Sequence, residues 1–209
     1  MTQTTRGIRA VLSIPWAYSF YRRLVFDERR QTAYVQRYVR ASAGDRILDI
    51  GCGPADVLES LPLGVRYEGF DLSEAYIDQA RRRWKNRGTF HCARVDDAAV
   101  AEPGAYDLVL SYGVLHHLDD DEAVALFKVA RRALKPGGRL VTTDPCYVPG
   151  QSRLARYMVS KDRGRNVRDE RGYLTLARQV FRDVTAHVRH DLLRIPYTHL
   201  VLECSKSLG

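Results

Sequence analysis

Residues 46–62, RILDIGCGPADVLESLP, constrain this chain more than any other stretch. RILDI reads as a buried strand carrying an acid, Asp49, at its end, and two glycines one residue apart, Gly51 and Gly53, follow at once. Glycine lets a backbone turn sharply and approach a ligand closely. ADVLESL then reads as a short helix, whose N-terminus would offer unpaired N–H groups. A strand, a glycine turn and a helix in that order belong to open α/β sheets, in which ligands sit beyond the carboxyl ends of the strands.

The rest of the chain continues the alternation. RYEGFD, TFHCA, YDLVLS and GRLVTTD read as further strands. SEAYIDQARRRW, with Ser73 as N-cap, reads as a helix. So does DDDEAVALFKVARRALK, with acids first and Lys135-Pro136-Gly137-Gly138 at its end. This order argues for a mostly parallel sheet with helices on both faces. Trp16, Phe20 and Leu24, then Tyr34, Val35, Tyr38 and Val39, recur at helical spacing and predict one or two amphipathic helices over 16–41. A further helix is predicted near 173–182. VTAHVRHDLL and THLVLECS leave no room for a helix between them, so they are predicted to pair as an antiparallel hairpin. At 209 residues, 45% of them apolar, the chain suits one domain with its own core. Its parts are a helical cap (1–42), a ligand-binding core (43–145), a second helical segment (146–182) and the hairpin (183–209).

The strand ends carry the chemistry. Asp71 follows Gly53 by 18 residues, close to the ~20 at which an acid meets ribose hydroxyls in nucleotide folds. The same carboxylate is also placed to cap the Ser73 helix. A dinucleotide is the rival ligand, but its GxGxxG fingerprint is broken here by Pro54-Ala55-Asp56, and Asp49 stands two residues before the first glycine. Negative charge is unfavourable beside a pyrophosphate and favourable beside a sulfonium or ammonium. The pattern therefore points to a cationic nucleoside.

DIGCG, the acid after the second strand, YDLVLSYGVLHHLDD and LKPGGRL together resemble the ordered motifs of class I S-adenosylmethionine-dependent methyltransferases, over roughly 43–145. The terminal hairpin is similar to that family's as well. The resemblance implies a Rossmann-like, mostly parallel seven-stranded sheet with S-adenosylmethionine as cofactor. It implies that Asp49, Gly51, Cys52 and Gly53 meet the methionine part, that Asp71 holds the ribose and that Leu72 packs on adenine. Ser111 and Tyr112 would line the methyl group. Asp96, or the Val95 N–H, would read the adenine, since Arg94 stands where the family often has an acid. Ala55 stands where the family usually has a third glycine. Of His116-His117, the first is the candidate catalytic base, and the second is expected beside the cofactor, anchoring the loop.

The acceptor side is expected from the N-terminal helices and the segment after the fifth strand. QSRLARYMVSKDRGRNVRDERGY carries seven basic residues against three acids. It reads either as a solvated, salt-bridged surface or as a clamp for carboxylate or phosphate, with Arg165 the candidate. Tyr21, Tyr147 and Tyr157 are candidate walls. The motifs DRGRNVR and RIPYTH are left without an acceptor. The net charge of +8 is dispersed along the chain, which fits general surface charge or an anionic partner.

The function expected is methyl transfer to O or N of a small molecule, anionic ones included. Alternatives are an RNA or a lipid/quinone methyltransferase, or a non-catalytic S-adenosylmethionine-binding partner protein. No nucleic-acid partner is expected, because Tyr112-Gly113-Val114-Leu115 replaces the Asn-Pro-Pro-Tyr type of signature. Cys52, Cys92, Cys146 and Cys204 form no CxxC pair, so core thiols, no metal and a cytoplasmic bacterial enzyme are expected. No apolar run reaches ~20 residues, so no membrane insertion is expected, although 16–26 is suited to a lipid surface. The expected state is a monomer or homodimer.

Overall fold

The period-two alternation of the strands builds the core directly. The computed structural model describes residues 27–95, 102–162 and 164–208. Its strands are β1 (Arg46–Ile50), β2 (Arg66–Asp71), β3 (Gly88–Cys92), β4 (Tyr106–Tyr112), β5 (Leu134–Pro145), β6 (Asp183–Arg189) and β7 (His199–Ser205). They form a seven-stranded sheet of order β3-β2-β1-β4-β5-β7-β6. The first five strands run parallel, and β7 inserts antiparallel between β5 and β6, completing the predicted hairpin. Between β1 and β4 the strand order reverses. In this architecture ligands bind at such a switch point, and the glycine loop after β1 opens there.

Successive residues along a strand point to opposite faces. Ile47, Leu108, Leu110, Val141 and Val201 accordingly enter one cluster. Their neighbours Leu48, Val109, Leu140, Leu200 and Leu202 enter the other. The first cluster is covered by Val35, Tyr38 and Val39 and by helix α2 (Glu74–Trp84) through Ile77 and Ala80. The second is covered by α3 (Asp120–Ala133) and α5 (Glu170–Arg178), with Phe127, Ala130, Leu176 and Phe181 at its centre. Here α1 is Glu28–Tyr34 and α4 is Arg153–Ser160.

Caps set the helix starts. Asp27 accepts from the N–H groups of Arg29 and Arg30, Ser73 accepts from Tyr76 as predicted, and Asp119 and Glu122 form a reciprocal capping box. Beyond Tyr34 the chain winds into a π turn, Val35–Val39, that Arg40 closes in the left-handed region.

Four expectations shift. ADVLESL is not a helix: Ala55 takes a left-handed conformation (φ 57°) and only a 3₁₀ turn, Asp56–Glu59, follows. Pro62 disfavours helical backbone at the residue before it. The third helix stops at Ala133, and Leu134 is already extended, so LKPGG opens β5 with a register shift against β4. The last helix lies at Glu170–Arg178 rather than near 173–182. Cys146 and Cys204 are buried thiols, but Cys92 is exposed. Residues 16–26, and with them the proposed lipid-facing stretch, lie outside the described residues.

Replacing Asp119 by Ala removes the side-chain acceptor for the Glu122 N–H, one of the two bonds of the capping box, and is expected to lower stability by about 1 kcal/mol. Urea denaturation with an unchanged m-value checks it.

Candidate functional site

A cavity opens at the carboxyl ends of β1 and β4. Asp49, the glycine loop Gly51–Cys52–Gly53–Pro54, Asp56 and Val57 line one side. Leu110, Ser111, Tyr112, Val141 and Leu192 line another, and Gln31, Tyr34, Val35 and Val39 of the N-terminal helix and π turn close it. The wall is mostly apolar. Among the described residues its carboxylates are two, and one of them, Asp56, is paired with Arg83 at 2.5 Å. No Lys or Arg among the described residues lines it.

Asp49 is the other acid. It is buried on β1, its Oδ2 accepts from the Tyr67 hydroxyl at 2.6 Å, and its Oδ1 has no partner. Burial pushes its pKa up to about 6, the Tyr67 bond opposing and the Asp71 charge adding. The Ser111 Oγ is likewise buried and unpartnered. Buried polar atoms are normally hydrogen-bonded, so two such atoms on one cavity mark a place for a polar ligand.

The loop's shape is enforced. The Gly51 and Cys52 N–H groups both donate to the Phe70 carbonyl, at 2.8 and 2.9 Å, and the Gly53 N–H donates to Asp71 Oδ2 at 2.9 Å. Gly51 sits at φ +77°, where a Cβ would lie 2.3 Å from Val114 Cγ2. These amides are therefore engaged within the protein, not presented to a phosphate. Asp71 also accepts from the Ser73 N–H at 2.8 Å through Oδ1. Each carboxylate oxygen accepts about two hydrogen bonds, so one site on each remains. The third-glycine position is held by Ala55, left-handed and fully buried, at a backbone cost of about 1–2 kcal/mol.

On the far side of Tyr112 lies a buried ionic cluster. His116 donates through Nδ1 to Asp144 Oδ1 at 2.8 Å, and its Nε2 faces Asp162 Oδ1 at 2.9 Å. Burial alone would lower the imidazole's pKa, but the two carboxylates outweigh it and hold it at about 9. His116 is thus an imidazolium at neutral pH, with both nitrogens engaged. In this state it has no lone pair with which to act as the base expected from the sequence. Gly164 lies flat on its ring, where a Cβ would be 2.0 Å from His116 Cδ2. The Asn166 N–H donates to the His116 carbonyl at 3.0 Å. The Tyr197 hydroxyl donates to Asp162 Oδ2 at 2.6 Å. DRGRNVR and RIPYTH, far apart in sequence, meet through this Asp162–Tyr197 bond.

Of the residues expected from the sequence, Asp49, Gly51, Cys52, Gly53, Ser111 and Tyr112 come together in the cavity. Asp71 joins through Gly53. Leu72 is exposed at the tip of β2, Val95 is half-buried after β3, and the His117 ring lies 4.1 Å from that of His116, tilted by 39°. Tyr147, Tyr157 and Arg165 are not in the cavity. Tyr147 pairs with Asp169 and lies under Arg156, Tyr157 is 57% exposed, and Arg165 is exposed. Asp96 and Tyr21 fall outside the described residues. The basic run is not a clamp on this cavity. Its Arg168 donates to the carbonyls of Leu115 and Leu118 and to Asp120 instead. The sequence reading missed Gln31, Tyr34 and Leu192. Tyr34 carried only a helical-spacing signal, and its hydroxyl lies 2.7 Å from Thr143 Oγ1. No cluster suited to a metal ion, and no helix long and apolar enough to cross a membrane, occurs among the described residues.

Comparison with known proteins agrees with this geometry. Residues 47–138 match a family described as a methyltransferase domain. The ubiquinone biosynthesis O-methyltransferase of Chromobacterium violaceum is 34% identical over 100 residues, which cover 46% of this chain and 42% of that protein. The corresponding protein of Xanthomonas euvesicatoria is 32% identical over 117 residues, 54% of this chain and 48% of its own. The chain spans under half the length of these two curated relatives. In fold it is similar to the phosphoethanolamine N-methyltransferase 2 of Haemonchus contortus, solved with S-adenosylhomocysteine (TM-score 0.66, 19% identity, 86% of this chain and 53% of that one). It is also similar to the geranyl diphosphate C-methyltransferase of Streptomyces coelicolor (TM-score 0.63, 18% identity, 86% and 76%).

The ionic cluster sets a pH dependence. The folded-state pKa of His116 lies above the unfolded value near 6.5. Its stabilisation is therefore fully present below about pH 6.5 and is lost as pH rises through about 9. Wild-type stability is expected to fall by roughly 3 kcal/mol across that window, and His116→Gln to be less stable at pH 6.5 and to lack the fall. Urea denaturation from pH 6.5 to 9.5 checks it, and an equal fall in the variant would assign the titration elsewhere.

Proposed function

We propose, for a chain that carries a class I S-adenosylmethionine-dependent methyltransferase domain, that it moves the methyl group of S-adenosylmethionine to an oxygen of a small acceptor with an apolar or aromatic body. One observation carries this reading: the switch-point cavity offers unpartnered acid and hydroxyl atoms on one side and an apolar, tyrosine-bearing wall on the other.

The residues present fit the cofactor. Asp49 Oδ1 and Ser111 Oγ supply polar atoms for an ammonium-bearing chain, Asp71 keeps a free acceptor site on each oxygen for a ribose, and exposed Leu72 offers a surface for the base. The bound sulfonium supplies an activated methyl group and its own leaving group. What remains for the protein is alignment and exclusion of water. Tyr34, Tyr112, Val35, Val39 and Leu192 provide both at the cavity wall.

The acceptor reading differs from the anionic one that the basic segment favoured. Among the described residues no cation lines the cavity, and Arg168 is bound to backbone carbonyls and Asp120. The names of the curated relatives, O-methyltransferases of ubiquinone biosynthesis, support an oxygen acceptor. In this reading the N-terminal segment is the cap, 43–145 the cofactor core, 146–182 the acceptor-side segment and 183–209 the closing hairpin of one domain.

Asp49 makes the reading testable without the acceptor. Its carboxyl is protonated below about pH 6, whereas a ligand ammonium favours the ionised form. The affinity for S-adenosylhomocysteine is therefore expected to fall about tenfold from pH 7 to pH 5, and Asp49→Asn to flatten that slope. Asp71→Ala is expected to weaken binding by about 1–3 kcal/mol. Titration calorimetry measures all three, and undiminished binding by Asp71→Ala would count against the ribose assignment.

A further inference from the structure

Several cations of this chain lie against carboxylates. Arg46 pairs with Glu102, Arg83 with Asp56 and Glu59, Lys135 with Asp107 and Arg189 with Asp191. A hollow at the opposite edge of the sheet from the switch-point cavity, where β4 and β5 begin and β7 ends, departs from that habit. Lys128, Arg131 and Arg132 of α3 line it together with Lys206, which follows β7, and Pro103-Gly104 and Val180 complete the wall. Among the described residues no carboxylate lines it.

The sequence sets up half of this arrangement and the fold supplies the rest. Lys128, Arg131 and Arg132 stand at i, i+3 and i+4 of one helix, so they share a stripe of its surface. Like charges at that spacing repel and disfavour the helix. The helix dipole accounts for Arg131 and Arg132, which stand in the last turn. It does not account for Lys206, which arrives from the far end of the chain. Lys206 is fixed where it stands. Its N–H donates to the Gly138 carbonyl and its carbonyl accepts from the Gly137 N–H, both at 2.9 Å, while its Nζ donates to the Leu134 carbonyl. Burial lowers the pKa of this ammonium, and the Arg131 charge lowers it further. Arg132 has a further partner. Lys128 and Arg131 are exposed and have no carboxylate partner among the described residues.

Positive charges gathered without a counter-charge favour a bound anion. Arginine offers a planar fork that meets phosphate oxygens in pairs, and lysine a compact charge that turns to reach them. We propose that this hollow binds a phosphate-bearing small molecule, with Lys128, Arg131 and Lys206 holding the phosphate oxygens and Pro103 and Val180 walling the body attached to them. The site shares no residue with the switch-point cavity, so it stands whether or not that cavity takes S-adenosylmethionine.

The test titrates the ¹⁵N-labelled full chain with inorganic pyrophosphate at physiological ionic strength, where dispersed surface charge is screened. The amide resonances of Gly104, Arg131 and Lys206 are expected to shift together and saturate, while those of Gly51 and Gly53 stay in place. Calorimetry then compares two variants matched in net charge. Lys128→Glu with Arg131→Gln is expected to weaken pyrophosphate binding about tenfold or more. Arg82→Glu with Arg153→Gln, which removes as much charge from exposed cations elsewhere, is expected to stay within about twofold of the wild type. Shifts scattered over the surface, or equal losses in the two variants, would leave net charge alone at work and overturn the site. Citrate bound as tightly as pyrophosphate would overturn the phosphate assignment. The titration of the unsubstituted chain locates the binding even where a variant fails to fold.

Discussion

The imidazolium of His116, held between Asp144 and Asp162, is the interaction from which the segment after α4 hangs. A buried charge is tolerated only when paired and hydrogen-bonded, and here one ring draws on two carboxylates from different parts of the chain. Asp144 belongs to the end of β5. Asp162 belongs to the segment after α4. The segment is then fixed by the Asn166 N–H on the His116 carbonyl and by Arg168 on the Leu115 and Leu118 carbonyls. An isolated loop would cost conformational entropy to order. This one is ordered by a charge that must have partners.

The same turn reaches the cofactor side. Val114, two residues before His116, lies against Gly51 so closely that no side chain fits there. Gly113 donates to the Thr143 carbonyl, and Thr143 carries the bond to Tyr34. One short stretch, Gly113 to Leu118, therefore packs under the glycine loop at one end and receives the segment after α4 at the other.

How much of this was legible in the sequence depends on the range of the interaction. The sheet was readable because its signals are local: period-two alternation, Ser73 and Asp119 at helix starts, and a hairpin forced by lack of intervening residues. Asp49, Gly51, Gly53, Ser111 and Tyr112 were readable for a related reason, since the fold gathers strand ends at one edge. The misreadings concern residues whose role depends on distant partners. His116 looked like a base because nothing nearby in sequence names Asp144 or Asp162. The basic run, with Arg165 its candidate, looked like a clamp for an anion, and the backbone carbonyls that Arg168 of that run binds leave no trace in residue identity. Lys206 carried no signal, since the α3 cations beside it come into view only when the fold brings the end of β7 to that helix. Ala55 marks the converse case: the family pattern asks for glycine, yet a methyl group fits the left-handed turn because it fills the core beneath it.

Charge shows the same separation of local from global. The chain is basic overall at +8, but among the described residues the carboxylates are the charged groups at the cavity, and the described cations of the 151–171 stretch stand on the surface or hold the loop. Net charge governs what the whole molecule attracts at a distance, while a ligand within the cavity meets mainly the groups that line it. A cationic nucleoside would be disfavoured by the overall field and favoured by Asp49 at contact. At 4 Å and an effective dielectric of about 20, a pair of unit charges gains roughly 4 kcal/mol, whereas dispersed surface charges beyond a Debye length of about 8 Å are largely screened. The contact term prevails, so the sign of the cavity and not of the chain decides the ligand.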